Sequence, residues 1–284
     1  MKEWIPIIIL FFLFFSLQAQ IQQAELTIGS IGSIGNAIIQ TSDGGFAVAG
    51  TTSYGAGGAD FYIVKIDNYG NLQWTRTVGG NNNEEARSIV QANDGSYVIA
   101  GPTYSYGAGN SDFYIVKLDN YGNLEWARTL GDSWYDEANS VIQTSDGNFV
   151  ISGYSSTVST AEFYIAKFDG SGNIIWNKIL AGGATYTAYS ATPTKDGGFI
   201  VVGSGNGYFC SVKFDINDNI QWVKYSGTGS GDDTVSVIQN KDKGYTLVGR
   251  TYSPFYGGGK SALIVNTYTR MIVYSSSNLM KLEI

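Results

Sequence analysis

The chain of 284 residues is rich in glycine (37) and in aromatic side chains (20 Tyr, 14 Phe and 6 Trp), and only 14% of its residues are charged. This composition excludes a disordered chain, which would be rich in charge and poor in aromatics. The net charge of −7 argues against a nucleic-acid-binding surface. With no histidine, Ser-His-Asp and Cys-His catalysis and histidine-ligated zinc are excluded as well.

The chain begins with an apolar segment that predicts a signal peptide over residues 1–20. Lys2 precedes fourteen residues, Trp4–Leu17, that are almost all apolar. A membrane span needs about 20 such residues, whereas the core of a signal peptide is shorter and ends near a small residue such as Ala19. An uncleaved anchor is the alternative. We therefore expect a secreted or cell-surface protein with no membrane span after cleavage.

The rest of the chain repeats with a period of about fifty residues. A turn of the type Asp-Gly-x-aromatic recurs at steps of 51, 52 and 50 residues, and a weaker copy follows after 46. Tryptophans recur at 52, 50 and 46 residues. The turns begin at Asp43, Asp94, Asp146, Asp196 and Asp242, and the tryptophans are Trp74, Trp126, Trp176 and Trp222. Two markers with one period indicate five structural repeats.

The second repeat predicts four strands and no helix. Strands are expected over 86–92, 96–101, 112–118 and 124–130, because these runs are rich in β-branched and aromatic residues and lie between turn signals. Asp94-Gly95 suits a hairpin, since Gly accepts positive φ and Asp bonds its own backbone. The second strand is apolar throughout, which predicts burial on both faces. Cys210, the single cysteine, is expected to be buried in a strand.

Four antiparallel strands in fifty residues predict the blade of a propeller. The expected fold is all-β, a single β-propeller of about five four-stranded antiparallel blades over residues 21–266. A β-solenoid is the rival architecture. Thr27-Ile28-Gly29 aligns with the end of a fourth strand, so an N-terminal strand is a candidate for closing the ring with the last repeat. Residues 267–284 are then a tail, or they supply the fifth repeat's own outer strand.

The repeat pattern resembles that of bacterial and archaeal secreted or cell-surface propeller proteins. The resemblance is carried by SIVQANDGSYVIAG at 88–101 and DFYIVKLDNYGNLEWARTLG at 112–131. The fragment at 65–74 and 117–126 also resembles the tryptophan-docking segment of quinoprotein propellers. At 213–222 Asp218 replaces the glycine of that fragment. The resemblance implies a propeller outside the cytoplasm and no particular activity.

Pairs of acidic residues precede the first strand of three repeats. They are Glu84-Glu85, Asp136-Glu137 and Asp232-Asp233. In a propeller this strand lines the central channel, so the pairs are expected near the channel mouth. Clustered carboxylates suit calcium, and a solvated acidic rim is the alternative. No cofactor is expected otherwise.

The loops between second and third strands are rich in Tyr and Gly. Tyr54, Tyr104 and Tyr106 give these loops large contact areas with little entropy cost, which favours binding of a protein or glycan ligand. Simple spacers are the alternative. The tryptophans are expected to pack between blades and not to face a sugar. Each third-strand lysine, such as Lys65, is expected to pair with the aspartate two residues on, here Asp67.

These observations lead to a prediction of function. We expect a non-enzymatic secreted binding module for a protein or glycan, with no nucleic-acid partner. A structural component of the cell envelope is one alternative. A hydrolase or lyase that uses Glu85 and Glu137 as acid and base is another.

Overall fold

The computed structural model describes residues 27–29, 32–180, 185–252 and 261–266. The predicted signal peptide and residues 267–284 lie outside this range. Within it the chain forms five antiparallel sheets and no helix. Blade 1 contains β1 Ile34–Gln40, β2 Phe46–Thr52, β3 Asp60–Ile66 and β4 Leu72–Val78. Blade 2 contains β5 Ser88–Gln91, β6 Tyr97–Thr103, β7 Asp112–Leu118 and β8 Leu124–Leu130.

The remaining blades repeat the same order. Blade 3 contains β9 Asp136–Gln143, β10 Phe149–Ser156, β11 Ala161–Phe168 and β12 Ile174–Leu180. Blade 4 contains β13 Tyr186–Pro193, β14 Phe199–Gly205, β15 Tyr208–Phe214 and β16 Ile220–Ser226. Blade 5 contains β17 Asp233–Gln239, β18 Tyr245–Thr251 and β19 Ser261–Asn266. Each sheet is a meander of sequential strands. The chain is a β-propeller repeat protein, as the fifty-residue period predicts.

The core lies between the blades. Phe61 and Ile63 of blade 1 pack with Ile89, Tyr97 and other residues of blade 2, and similar clusters join the following blades. Strands β6 and β7 are buried along their whole length, which confirms the expectation drawn from the apolar second strands. Cys210 is buried in β15, as predicted. The same apolar pattern in every repeat is therefore satisfied by neighbouring blades on both sides.

The tryptophans fasten each blade to the next. The indole nitrogen of Trp74 donates to the carbonyl oxygen of Asn120 at 3.2 Å, and that of Trp126 donates to Gly170 at 3.1 Å. Both acceptors lie in the turn between the third and fourth strands of the following blade. The Arg128 guanidinium, two residues after Trp126, donates to the carbonyl oxygen of Gly172 in the same turn at 3.0 Å. The expectation of packing between blades is confirmed.

The third-strand lysines do not pair with the aspartate two residues on. Lys65 is buried and pairs with Asp43 of the first hairpin turn at 2.8 Å, while Asp67 accepts hydrogen bonds from Asn71 instead. The same pairing joins Lys117 to Asp94, Lys167 to Asp146 and Lys213 to Asp196. The prediction of a surface pair was wrong because the hairpin turn of the same blade approaches the lysine more closely than its sequence neighbour does.

The first and last blades expose apolar faces. Ile38 and Phe46 in blade 1 are 64% and 36% exposed, whereas the corresponding Ile89 and Tyr97 of blade 2 are 5% and 2% exposed. In blade 5, Ile238 and Val248 are 60% and 41% exposed. Within the described ranges Thr27–Gly29 form no strand, and the fifth sheet has three strands. The tail or outer strand expected over residues 267–284 lies outside the described residues.

Candidate functional site

The first strand of each blade lines the centre of the propeller and carries an extra residue. Strands β1, β5, β9, β13 and β17 pack side by side in sequence. In β9 the pairing with β10 skips Asn139. In blade 2, Arg87 and Ser88 both lie opposite Ala100. Such a bulge turns one side chain away from the ladder, and here it directs Arg87 and Asn139 toward a common cluster.

A glycine on the second strand permits each bulge. A Cβ atom at Gly101 or Gly153 would lie 1.8 or 1.9 Å from the carbonyl oxygen of Glu85 or Glu137, respectively. Glycine at this position allows the two backbones to approach closely. The apolar-Gly ending shared by the second strands therefore positions the residues at the propeller centre.

Arg87 joins carboxylates of two adjacent blades. Its Nη1 lies 2.8 Å from Glu137 Oε2, and its Nη2 lies 3.0 Å from Glu85 Oε2. The guanidinium also donates to the side-chain oxygen of Asn139 at 2.8 Å. The Tyr104 hydroxyl donates to Glu137 Oε1 at 3.1 Å. These five residues form what we call the central cluster: Glu85, Arg87, Tyr104, Glu137 and Asn139.

The surroundings within the central cluster keep Arg87 charged and Tyr104 neutral. Burial alone would lower the pKa of Arg87, but Glu137 and Glu85 outweigh burial and raise it. Burial, together with Glu137, raises the pKa of Tyr104, so this phenol stays protonated. Burial and the same glutamate raise the pKa of Tyr154. The side chain of Glu85 is 46% exposed and that of Glu137 only 11%. Glu85 is thus the carboxylate that water and a ligand can reach.

The predicted acidic pairs are split by the alternation of side chains along the chain. The second members of the first two pairs, Glu85 and Glu137, belong to the central cluster. The second member of the third pair, Asp233, forms an ion pair within its own blade instead. Asp233 binds Arg250 of its own blade at 2.9 Å. The first member, Glu84, Asp136 or Asp232, is buried at a junction between blades. In the part of the chain that the structure describes, no three acidic or cysteine side chains gather as metal ligands would.

Two further aspartates join the buried acids. Asp60 and Asp112 begin the third strands of blades 1 and 2 and are buried beside Glu84 and Asp136. Burial raises the pKa of Asp112 to about 6. Burial and the neighbouring Glu84 raise the pKa of Asp60.

The three loop tyrosines have different surroundings. Tyr54 is exposed. Tyr104 belongs to the central cluster, and Tyr106 donates from its hydroxyl to the carbonyl oxygen of Gly79 at 2.8 Å. These tyrosines therefore do not form one continuous binding surface, since two of them contact the body of the propeller.

A separate cleft of about 440 Å³ lies at the periphery between blades 3 and 4. Its walls are apolar and aromatic, with Phe163, Tyr186 and Tyr225 among them, and they include Cys210. Burial raises the pKa of the Cys210 thiol to about 12, so this thiol is not a nucleophile. The charged groups that could take part in a reaction therefore lie in the central cluster, whereas the described lining of this cleft carries no acidic or basic side chain.

Sequence reasoning found Glu85 and Glu137 but missed the group that links them. Arg87 and Asn139 are conspicuous only once the bulge is known. Asp60 and Asp112 had a visible signal, because both begin the run Asp-Phe-Tyr-Ile-Val at one repeat position.

A model of a domain of unknown function, DUF5122 beta-propeller, matches residues 92–125. Among curated proteins, the regulatory protein FlaEY of Caulobacter vibrioides is 24% identical over 145 residues, which is 45% of this chain. That match spans 15% of the length of FlaEY.

Solved structures show the same architecture. The periplasmic gluconolactonase PpgL of Pseudomonas aeruginosa aligns with a TM-score of 0.50 at 10% identity, over 86% of this chain and 82% of that one. A Bifidobacterium bifidum s17 protein to which exo-β-1,3-galactanase activity has been ascribed aligns with a TM-score of 0.47 at 12% identity. That alignment covers 84% of this chain and 89% of the other. At these identities the likeness establishes the fold alone.

These comparisons correct the predicted function. We expected a non-enzymatic protein- or glycan-binding module and no enzyme. PpgL, which aligns with a TM-score of 0.50, bears the name of an enzyme. The lack of a familiar catalytic motif was therefore not a sound reason to exclude an activity.

Proposed function

We propose that this propeller is an extracytoplasmic hydrolase that cleaves an ester or lactone of a small polar compound at the central cluster. One observation carries the proposal. The Arg87 guanidinium spans two blades and binds an exposed carboxylate, Glu85, and a buried one, Glu137. A cation next to an accessible base is what carbonyl hydrolysis requires.

The residues of the central cluster have distinct roles in this reaction. Glu85 accepts a proton from water, and the water oxygen attacks the carbonyl carbon of the substrate. The carbonyl electron pair moves to the carbonyl oxygen, which the Arg87 guanidinium stabilises. Arg87 has five N–H groups, and its bonds to Glu85, Glu137 and Asn139 use four of them. The intermediate then expels the alkoxide, which recovers the proton from Glu85.

Glu137 is a positioning residue. It is held by Arg87 and by the Tyr104 hydroxyl, so it fixes the guanidinium between the blades. The same contacts disfavour a glycosidase, in which one of two carboxyls must be protonated to act as the acid. Arg87 donates hydrogen bonds to both carboxylates, so neither stands apart as a general acid. The geometry therefore favours a base and an oxyanion-stabilising cation over an acid–base pair.

The cellular location is part of the same proposal. The apolar segment Trp4–Leu17 followed by Ala19 supports export, and PpgL is described as periplasmic. The structure describes no helix able to cross a membrane in the residues it covers. Docking of Trp74 and Trp126 on the following blade supports kinship with the quinoprotein type of repeat. N-terminal sequencing of the exported protein tests the location, with cleavage near Ala19 as the expected result.

The activity is tested with the full chain against sugar lactones and aryl esters. We expect Glu85→Gln to lower kcat/KM by about 10²–10⁴-fold, the usual contribution of a general base. Arg87→Lys should lower kcat by about 10²-fold or more, since an oxyanion donor contributes that much. Asp233→Asn is the matched control, because it neutralises a carboxylate at the same repeat position in blade 5. Turnover of no lactone or ester above the buffer rate, or full activity in Glu85→Gln, refutes the proposal.

A further inference from the structure

Two junctions between adjacent blades each contain a pair of buried carboxylates. At the junction of blades 1 and 2, Asp60 and Glu84 are 0% and 1% exposed. At the junction of blades 2 and 3, Asp112 and Asp136 are 2% and 0% exposed. In each pair one acid begins the third strand of a blade, and the other lies at the start of the next blade.

A glycine makes room for each pair. A Cβ atom on Gly79 would lie 1.8 Å from Asp60 Oδ1 and 2.4 Å from Glu84 Oε2. A Cβ atom on Gly131 would lie 2.2 Å from Asp112 Oδ1 and 2.8 Å from Asp136 Oδ2. The two carboxylates of each pair thus converge on the space that a side chain would fill.

The protein compensates these carboxylates only in part. Glu84 accepts bonds from the Gly80 amide and the Thr103 hydroxyl, both at 2.7 Å. Within the described ranges, neither oxygen of Asp60 has a partner with full hydrogen-bond geometry, and the same is true of Asp136 Oδ1. The backbone of Ala56 lies near enough to Asp60 to lower its pKa in part, and the Asp132 amide donates to Asp136 Oδ2 at 2.8 Å. None of the ion pairs formed by described residues includes any of these four acids. A buried carboxylate without a partner is costly, so each pair must be neutralised, either by a proton or by a bound cation.

The other junctions provide an internal comparison. Between blades 4 and 5 there is one acid, Asp232, because Tyr208 occupies the position of Asp60. Asp232 accepts bonds from the amides of Thr228 and Gly229 and from the Thr228 hydroxyl. A single acid at this position is thus satisfied by its own loop.

Between blades 3 and 4, Tyr186 replaces the second acid and packs against Phe163 with ring centroids 6.1 Å apart. Glu162 occupies the position of Asp60 in blade 3. Among the described acids at these positions, the buried carboxylate oxygens without a hydrogen-bond partner therefore belong to the two junctions that contain two acids.

We propose that each two-acid junction binds a calcium ion that bridges adjacent blades. Calcium takes six to eight oxygen ligands and tolerates irregular geometry, so two carboxylates completed by water suffice. The ion neutralises the pair and ties the third strand of one blade to the start of the next. The buried Ser111 hydroxyl, which has no hydrogen-bond partner among the described residues, is a further ligand candidate at the second junction. This inference does not depend on the proposed hydrolase activity.

The test uses the full chain stripped of metals with a chelator. Terbium, which replaces calcium in oxygen sites, reports binding through luminescence sensitised by a nearby tyrosine. Tyr106 is suitably placed, since its hydroxyl binds Gly79 at 2.8 Å. We expect sensitised luminescence that calcium displaces. We also expect calcium to raise the melting temperature by about 3 °C or more, the shift that a modest binding energy gives in a domain of this size.

Four variants make the test decisive: two single substitutions, their combination and a control. Asp60→Asn and Asp112→Asn should each remove part of the terbium signal, and together they should abolish both the signal and the calcium-dependent shift. They should not lower the melting temperature of the metal-free protein, because each removes an uncompensated charge. Glu162→Gln, at the same repeat position without a second acid, should respond to calcium like the wild type. A missing calcium response in the wild type, or an undiminished response in the double variant, overturns the proposal.

Discussion

The indole nitrogen of Trp176 donates a 2.9 Å hydrogen bond to the carboxylate of Asp218, and the buried Lys167 pairs with the same carboxylate at 2.8 Å. Asp218 keeps a positive φ of 64° at a turn position where blades 2 and 3 have Gly122 and Gly172. In those repeats the tryptophan uses a backbone carbonyl of the turn as its acceptor. The fourth blade therefore preserves the contact with a side chain in place of the backbone.

Two substitutions of Asp218 should distinguish its hydrogen bond to Trp176 from its ion pair with Lys167. Asp218→Asn keeps an oxygen acceptor, and asparagine tolerates the left-handed region. Asp218→Ala loses the acceptor and adds backbone strain of about 1–2 kcal/mol. We expect Asp218→Ala to lower the free energy of unfolding clearly more than Asp218→Asn, measured by denaturant titration. Equal losses would show that the carboxylate does not hold Trp176.

The glycine in the corresponding turn of blade 2 should be intolerant of substitution for two reasons. Gly122 has a φ of +81°, and a Cβ atom there would lie 2.8 Å from the Trp74 ring. Gly122→Ala should cost the strain of a left-handed alanine, about 1–2 kcal/mol, plus about 1–3 kcal/mol of overpacking. Gly70→Ala is the matched control, because Gly70 has a φ of +86° and no atom near its Cβ position. If both variants lose the same stability, the tryptophan contact contributes nothing.

The lysine–aspartate pairs should make stability depend on acid. A hydrogen bond from Lys65, followed by one from Thr41, holds the pKa of Asp43 well below its usual range. The pair therefore stabilises the fold above the unfolded pKa of about 4 and loses that contribution as the pH falls further. Since Asp43 is half exposed, we expect Asp43→Asn to cost about 0.5–1 kcal/mol at neutral pH.

Unfolding measured from neutral pH to about pH 3 checks this expectation. The loss of stability on acidification should be smaller in Asp43→Asn than in the wild type. Asp242→Asn is the control, because Asn266 occupies the lysine position in blade 5 and carries no charge. An acid response in Asp43→Asn identical to that of the wild type would contradict the role of the pair.

Cys210 should be chemically silent in the folded protein. Its thiol is buried, and burial raises its pKa to about 12. A thiol-specific reagent should therefore react only after denaturant is added, which absorbance measurements can follow. Rapid labelling without denaturant would mean that blades 3 and 4 separate readily.

The sequence predicts the strands well and the contacts between blades poorly. Periodicity locates the third and fourth strands of blade 2 with the observed limits, because turn residues and apolar runs are local signals. The first strand was expected over 86–92 and forms regular pairing over Ser88–Gln91. The difference comes from the bulge at Arg87, which depends on a close approach to the second strand.

The candidate site was only half predictable for the same reason. Adjacent acids such as Glu84 and Glu85 look alike in the sequence, but the strand sends one to a buried junction and the other to the centre. Asp60, which lies beside Glu84 in the fold, is more than twenty residues away from it in the sequence. Arg87, which binds Glu85, lies at a bulge that the strand pattern does not predict. Only packing of one blade on the next brings them together.

The tryptophan contact runs in one direction along the described chain, from the fourth strands of blades 1, 2 and 3 to the turn of the following blade. The array of blades consequently has a polarity, because each of these tryptophans binds the blade that follows it in the sequence. Duplication of an internal repeat would reproduce both the tryptophan and the turn that accepts its hydrogen bond, so each blade would keep its contact with the next. A foreign blade inserted between two repeats would instead leave one tryptophan without its turn and one turn without its tryptophan.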